Sequence, residues 1–388
     1  MKRRILLTGL LAAALLWTAC QQPNANQQSQ HTSVDSTATG FNGEIDGKPA
    51  KLFTVENGKG VKATFTNFGA RIVSLWVPDK DGKMTDVILG FNKATDYNNP
   101  EEPYYGTVVG PFGNRIAKGK FSIDGEQFTL PINNGVNTLH GGFKGVHFAV
   151  WEAEQEGKNK LRFSYTLLEK QEGFPGNITM RVTYTLTDDN ALEIDYAATT
   201  DKKTVINLTN HAYFNLNGEG SGTILDHSLQ IYADQYTPVD STLIPTGALT
   251  NVKGTAFDFT RAKPIGKDIE QQVIQLAYGK GYDHNFVLRA DKVDGLNHAA
   301  TLIGDKSGIK LDIYTEEPGL QFYSGNFMAD KVTLKNGKTD AFRTGLCLET
   351  QHFPDAPNQP TFPTTILEPG QTYTTKSIYK FGSKKLIN

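Results

Sequence analysis

The sequence predicts an all-β fold, a large β-sandwich. Three observations carry that expectation. Stretches of alternating apolar and polar residues recur along most of the chain, turn dipeptides punctuate them, and helical periodicity is scarce. The 38 glycines and 17 prolines among 388 residues follow no fixed period, which suits many turns and argues against a repeat array.

The strand candidates come in order along the chain: residues 61–67 (VKATFTN), 71–77 (RIVSLWV), 160–168 (KLRFSYTLL), 178–186 (ITMRVTYTL), 192–199 (LEIDYAAT) and 308–315 (GIKLDIYT). Each alternates as a strand with one buried face does. Asp81-Gly82, Asp124-Gly125 and Asn336-Gly337 are hairpin-turn candidates. The best helical candidate is the short stretch 267–278. No break in composition interrupts residues 41–388, so one domain is expected there. So many strands imply stacked sheets, as a sandwich or a barrel.

The N-terminus reads differently. Lys2, Arg3 and Arg4 precede an apolar run from Ile5 to Trp17, followed by Thr18, Ala19 and Cys20. A basic start, a short apolar run and small residues make a secretory signal over residues 1–19. Small residues before a cysteine resemble the lipobox of bacterial lipoproteins, with Trp17 standing where that pattern usually has leucine. Cys20 is then a lipid attachment point. Residues 20–40 are polar enough to serve as a flexible tether. An exported, membrane-anchored protein is expected, at the outer membrane facing the periplasm. Loss of the leader removes three positive charges and takes the net charge from −2 to −5.

Composition excludes several classes. With 39 Lys plus Arg against 41 Asp plus Glu there is no basic excess, so nucleic acid is not an expected partner. Two cysteines build no disulfide framework, and no Cys/His cluster has zinc spacing. G-x-S-x-G, Walker and H-E-x-x-H motifs are absent.

What remains is a histidine and carboxylate inventory. His140 precedes Gly141-Gly142, as at a strand end where backbones approach closely. His211 lies in TNHAYFN, His284 in YDHNF and His352 in ETQHFPD, whereas His31 falls in the tether and His298 beside a polar turn. Glu349 ends the apolar run GLCLE. Burial there raises a carboxylate's pKa, which suits a general base, although an ion pair with Arg343 would account for it equally. Asp283 reads equally well as a turn residue bonding its own backbone, and Glu316-Glu317-Pro318-Gly319 as a solvated turn. Cys347, between Leu346 and Leu348, reads as a packed side chain. A metal held by His140, His211 and Glu349 is chemically reasonable but unsupported by local spacing. A His/Glu pair among Arg, Asn, Gln and Asp side chains suits a neutral polyhydroxylated ligand, which needs donors and acceptors together.

In order, the segments GNRIAKG (113–119), LHGG (139–142), TNHAYFNL (209–216), YDHNF (282–286), PGLQFYSGN (318–326) and LETQ (348–351) resemble the aldose 1-epimerase (galactose mutarotase) family. The resemblance covers nearly all of residues 41–388; its weakest part is Gly110-Pro111-Phe112-Gly113. It implies a galactose mutarotase-like supersandwich and cofactor-free, metal-free interconversion of the α- and β-anomers of aldoses such as glucose and galactose. By the same resemblance, Glu349 is the general base and His211 the general acid. Asn114, Arg115, His140, Asp283 and Gln321 bind the sugar, with Tyr213 a further candidate. Two alternatives stay open: a non-catalytic carbohydrate-binding sandwich, and an epimerase for a modified or phosphorylated hexose. Oligomeric state is left undetermined.

Overall fold

Alternation of side chains on antiparallel strands builds this molecule. The computed structural model describes residues 38–99 and 104–383. The leader, Cys20 and the tether up to residue 37 lie outside the described residues.

Three antiparallel sheets share one core. The largest has nine strands, ordered Glu152–Glu156, Lys160–Leu167, Ile178–Leu186, Ala191–Thr200, Tyr373–Ser383, Ile309–Thr315, Asn297–Ile303, Ser228–Ile231 and Lys263–Pro264. A four-stranded sheet is a meander of Leu52–Glu56, Lys62–Thr66, Arg71–Pro78 and Met84–Asp86. The five-stranded sheet runs Thr250–Asn251, Ala233–Tyr236, Asp283–Leu288, Gly319–Tyr323 and Cys347–Gln351. An all-β fold follows, and the six sequence-derived strands coincide with observed ones to within two residues at either end.

Buried apolar residues of all three sheets form a single cluster, including Phe65, Val182, Ile313, Phe322 and Leu348. Between the four- and nine-stranded sheets, Phe65 meets Tyr184 at 4.5 Å between ring centres, and the Tyr184 hydroxyl donates to the Ala70 carbonyl. Between the nine- and five-stranded sheets, the Tyr379 hydroxyl donates to Leu348 O, and the hydroxyls of Thr350 and Ser377 lie 2.7 Å apart. Satisfied polar contacts of this kind fix how sheets stack, because a buried hydroxyl without a partner is costly.

Local chemistry explains the turns. Asp124 and Gly125 both have positive φ and join directly paired Ile123 and Glu126, a two-residue hairpin of the kind expected. The other two dipeptides close longer loops. Gly82 donates to Asp79 O and Gly337 to Leu334 O, with each glycine left-handed at the end of its turn. The helix expected over 267–278 shrinks to Ile274–Gly279, after a 3-10 turn at Ile265–Lys267. Only Ile269 and Leu276 are buried in its apolar stripe, too little to hold two more turns, and a left-handed Lys280 ends it.

Several side chains are placed otherwise than expected. Glu317 is buried, not solvated; its carboxylate lies 2.6 Å from His352 Nδ1 and accepts from the Tyr373 hydroxyl. Asp283 opens a strand, not a turn. His298 belongs to the strand Asn297–Ile303 and stacks between Tyr232 and Tyr314. Arg343 pairs with Glu270 and not with Glu349: it sits in a left-handed turn before the strand that carries Glu349, and its guanidinium also donates to Lys280 O.

Candidate active site

Period-two alternation puts polar residues on one face of the five-stranded sheet. Phe286, Leu320, Phe322 and Leu348 enter the core. Asp283, Gln321, Tyr323, Cys347 and Glu349 take the other face. Register sets them in two rows, with Gln321 opposite both Asn285 and Glu349, and Tyr323 opposite both Asp283 and Cys347.

The segment carrying His211 runs antiparallel along the edge strand Cys347–Gln351. At one end Asn207 imitates a strand partner: its side chain accepts from His352 N and donates to His352 O. At the other end Phe214 and Leu346 exchange backbone hydrogen bonds of 2.7 and 3.0 Å. His211 is thereby held over the strand. Its Nδ1 lies 3.5 Å from Cys347 Sγ and its Nε2 3.7 Å from Glu349 Oε1. Residues two apart on a strand share a face, so Cys347 and Glu349 bracket the two ring nitrogens.

The other wall begins with the short pair Arg115–Ile116 and Thr138–Leu139. His140 follows in left-handed backbone, and Asn114 is left-handed as well. His140 N donates to Asn114 O, and Asn114 N donates to His140 Nδ1. Gly141 is required here: a Cβ on it would sit 2.1 Å from Gly110 O. This is the close approach expected from the paired glycines. Arg115 reaches Asn134 Oδ1 through Nε and Asp283 Oδ2 through Nη1 at 3.7 Å, while Gln321 donates to Asp283 Oδ1 at 2.7 Å. The stretch 110–113 does not line the cavity. Phe112 enters the core and Pro111 O accepts from Asn207 N.

These residues surround a cavity of about 600 Å³ lined by Asn114, Arg115, His140, His211, Asp283 and Glu349 among others. Every site residue expected from the sequence is in this wall or, for Gln321, bonded to it; Cys20 lies outside the described residues. Tyr213 lines the cavity and stacks on Tyr105 at 4.4 Å. Sequence reasoning missed Tyr104, whose ring centre lies 4.6 Å from that of His140 and 5.5 Å from that of His211. It also missed Tyr323 and Phe327, which line the cavity as well. The tyrosine pair before Gly106 was the available signal for Tyr104, and Tyr323 sat unremarked inside a quoted motif.

Burial governs the electrostatics. It drives the Glu349 carboxyl well above its ordinary range, reinforced by Asp283 and opposed by Arg115. It pushes His211 down to about 4, with Arg71 adding to the effect. His140 falls well below its usual value through burial and the nearby His211, Arg115 and His147. Glu349 Oε2 and Gln321 Oε1 are buried without a hydrogen-bond partner among the described residues. Such acceptors are costly unless a ligand's hydroxyls meet them.

Ligand atoms of His140, His211 and Glu349 lie within 4.8 Å of one another, so the fold supplies the proximity that local spacing did not suggest. The donor set nevertheless does not fit a metal. His140 Nδ1 is occupied by the Asn114 amide hydrogen, so the neutral ring carries its proton on Nε2 and offers no free lone pair.

The chain matches the Aldose 1-epimerase family over residues 51–380. It is 44% identical over 319 residues to galactose mutarotase of Rattus norvegicus, covering 81% of this chain and 89% of the rat protein. With aldose 1-epimerase of Escherichia coli it shares 39% identity over 338 residues, covering 87% and 96%. In three dimensions it resembles a GalM/aldose epimerase homologue from C. elegans with a TM-score of 0.78 and 33% identity, over 86% of this chain and 99% of that one. A galactose 1-epimerase from Lactobacillus acidophilus gives 0.76 and 29% identity, over 88% and 97%. By the family match over most of its length and the identity it shares with these relatives, this chain belongs to the aldose 1-epimerase family.

Proposed function

We infer that this protein is an aldose 1-epimerase, an isomerase that interconverts the α- and β-anomers of free aldoses such as glucose and galactose. The observation carrying this reading is the 3.7 Å separation of His211 Nε2 and Glu349 Oε1 at a polar cavity wall. The anomeric hydroxyl and the ring oxygen are both bonded to C1, so one acid and one base at that spacing serve both atoms.

In this reading Glu349 takes the proton of the anomeric hydroxyl while His211 gives one to the ring oxygen. The C1–ring-oxygen bond breaks and the hydroxyl oxygen becomes the aldehyde. Rotation about C1–C2 offers the other carbonyl face. Closure returns the proton from Glu349 to the aldehyde oxygen and one from the ring-closing hydroxyl to His211. The pair holds one proton throughout. Before opening, the reactive form is carboxylate and imidazolium; afterwards it is the neutral acid and imidazole, the form that burial favours. A raised carboxylate is a stronger base and a lowered imidazolium a stronger acid, so both shifts favour transfer. Each positioned transfer is worth about 10²–10⁴-fold.

His140, confined to donating from Nε2, would stabilise charge on a sugar oxygen. Arg115, Asn114, Asp283 and Gln321 would hold the hydroxyls, and Tyr213 would wall the ring. Polarimetry of freshly dissolved α-glucose and α-galactose tests the reading. Both should relax to anomeric equilibrium faster with protein than in buffer, and relaxation at the buffer rate overturns it.

The basic start, apolar run and Thr18-Ala19-Cys20 support export with lipidation at Cys20, a tethered domain over 41–388, and an outer-membrane site facing the periplasm. Incorporation of labelled fatty acid should depend on Cys20; label retained in Cys20→Ala, or absent from the wild type, sinks the anchor.

A further inference from the structure

Arg71 is a buried cation that the proposed reaction does not use. It is 0% exposed, yet no carboxylate lies within ion-pair distance of it among the described residues. The other buried cations have one: Arg115 has Asp283, Lys263 has Asp268 and Arg343 has Glu270, and the half-buried Lys335 has Asp86 and Glu219. Removing a guanidinium from water without a counter-ion costs several kcal/mol.

Its partners are two backbone carbonyls and two rings. Nη1 donates to Tyr105 O at 2.9 Å, and Nη2 donates to His147 O at 2.7 Å. The guanidinium sits 5.3 Å from the Phe68 ring centre and 5.0 Å from that of Tyr97. Gly69 permits this packing, since a Cβ there would lie 2.6 Å from His147 O and 2.9 Å from Arg71 Nε.

Both carbonyls belong to segments that support the histidines. The first exchanges backbone hydrogen bonds with His211: Gly106 N donates to His211 O, and His211 N to Thr107 O. The second packs beneath His140, where a Cβ on Gly145 would lie 3.0 Å from His140 O. Tyr104, from the first segment, packs its ring on those of His140, His147 and His211.

We propose that Arg71 is a positioning residue for anomer interconversion: its guanidinium ties the Tyr104–Tyr105 segment to His147, setting the mutual placement of His140 and His211, and stands as a fixed cation behind His211. The proposal rests on the epimerase reading. Charge behind His211 opposes a second proton there, in the same direction as burial. The other groups facing His211 are Glu349, Cys347, His140, His147, Tyr104, Tyr213 and Tyr323. None of them is a cation in the neutral resting site.

The test compares wild type, Arg71→Met and Arg71→Lys in the full-length protein, by polarimetry across pH and by NMR titration of the His211 ring. In a folded Arg71→Met, kcat should fall at least about tenfold. The acid limb of its kcat/KM profile, and the His211 titration, should move to higher pH by about one unit. Arg71→Lys keeps the charge but cannot span both carbonyls. It should lower kcat while leaving the acid limb and the His211 titration at wild-type pH. An unmoved acid limb in a folded Arg71→Met means a merely structural residue and overturns the proposal. If Arg71→Met does not fold, Arg71→Lys decides: wild-type kcat overturns the tie. The NMR titration reads Arg71 even where no sugar turns over, so failure of the epimerase reading shows separately as a wild type at the buffer rate.

Discussion

His211 Nε2 and Glu349 Oε1 approach to 3.7 Å because Asn207 and Phe214 pin the histidine segment along the carboxylate's own strand. Neither residue reaches the other through its own loop, so the pair should act as a unit. Glu349→Gln preserves shape and removes the base; kcat should drop about 10²–10⁴-fold with the fold intact. His211→Asn should drop it comparably. The double variant should lose far less than the product of the two, as groups sharing one proton do. Multiplicative losses in polarimetric kcat would show two independent roles.

Acidification should expose the lowered histidine. An ordinary imidazole takes its proton near pH 6.5, whereas burial moves His211 down to about 4. As pH falls, the one-proton pair gains a second proton only on reaching that lower value. The acid limb of kcat/KM should therefore lie below about pH 5. A limb near 6.5 would mean that the ring titrates as if in water.

Cys347 is buried at 0% exposure and stays a thiol, since burial and the nearby Glu349 and Asp283 raise it well above its usual value. Its sulfur lies 3.5 Å from His211 Nδ1, so it contacts the ring as well as filling space in a buried apolar cluster. Cys347→Ser keeps a hydrogen-bonding atom, whereas Cys347→Ala suits the apolar surroundings. Ala should be the more stable variant in thermal unfolding, and Ser should keep the higher kcat by about threefold or more. If Ala leads in both measurements, packing alone explains the cysteine.

Far from the cavity, Asp312 is held by a network on the nine-stranded sheet. Burial raises its pKa, but His298, Lys310 and Thr301 together outweigh that and lower it to about 2. A depressed carboxylate contributes stability above its unfolded pKa, and that contribution is lost as pH falls through the folded value. Asp312→Asn should therefore be less stable than wild type at neutral pH. The gap should close between about pH 4 and pH 2 in denaturant titrations. A gap independent of pH would contradict the ionic account.

The sheets were legible because alternation is local: six strands and one two-residue hairpin follow from neighbouring residues alone. The helix was overestimated because periodicity does not report whether a partner surface exists to bury its stripe. Glu349 stood out as a charge within an apolar run. The same reasoning applies to Arg71, which opens the apolar strand Arg71–Pro78. Arg343 beside Glu349 and the apparent turn at Glu317 misled for one reason. Each lies in a turn outside the strands, and proximity in sequence does not say which distant groups pack against a turn.

By itself the sequence determined the all-β class, the residue types of a polyol-binding acid–base site and, through its motifs, the family. Tertiary structure decided which of those residues meet. It placed ligand atoms of His140, His211 and Glu349 within 4.8 Å, gave Glu317 to His352 and Arg343 to Glu270, and buried Arg71 behind the histidines without a counter-ion among the described residues. The physical reason is one of range. Alternation and turn chemistry act between neighbours, whereas burial, charge and proton sharing depend on groups that only packing across sheets brings together.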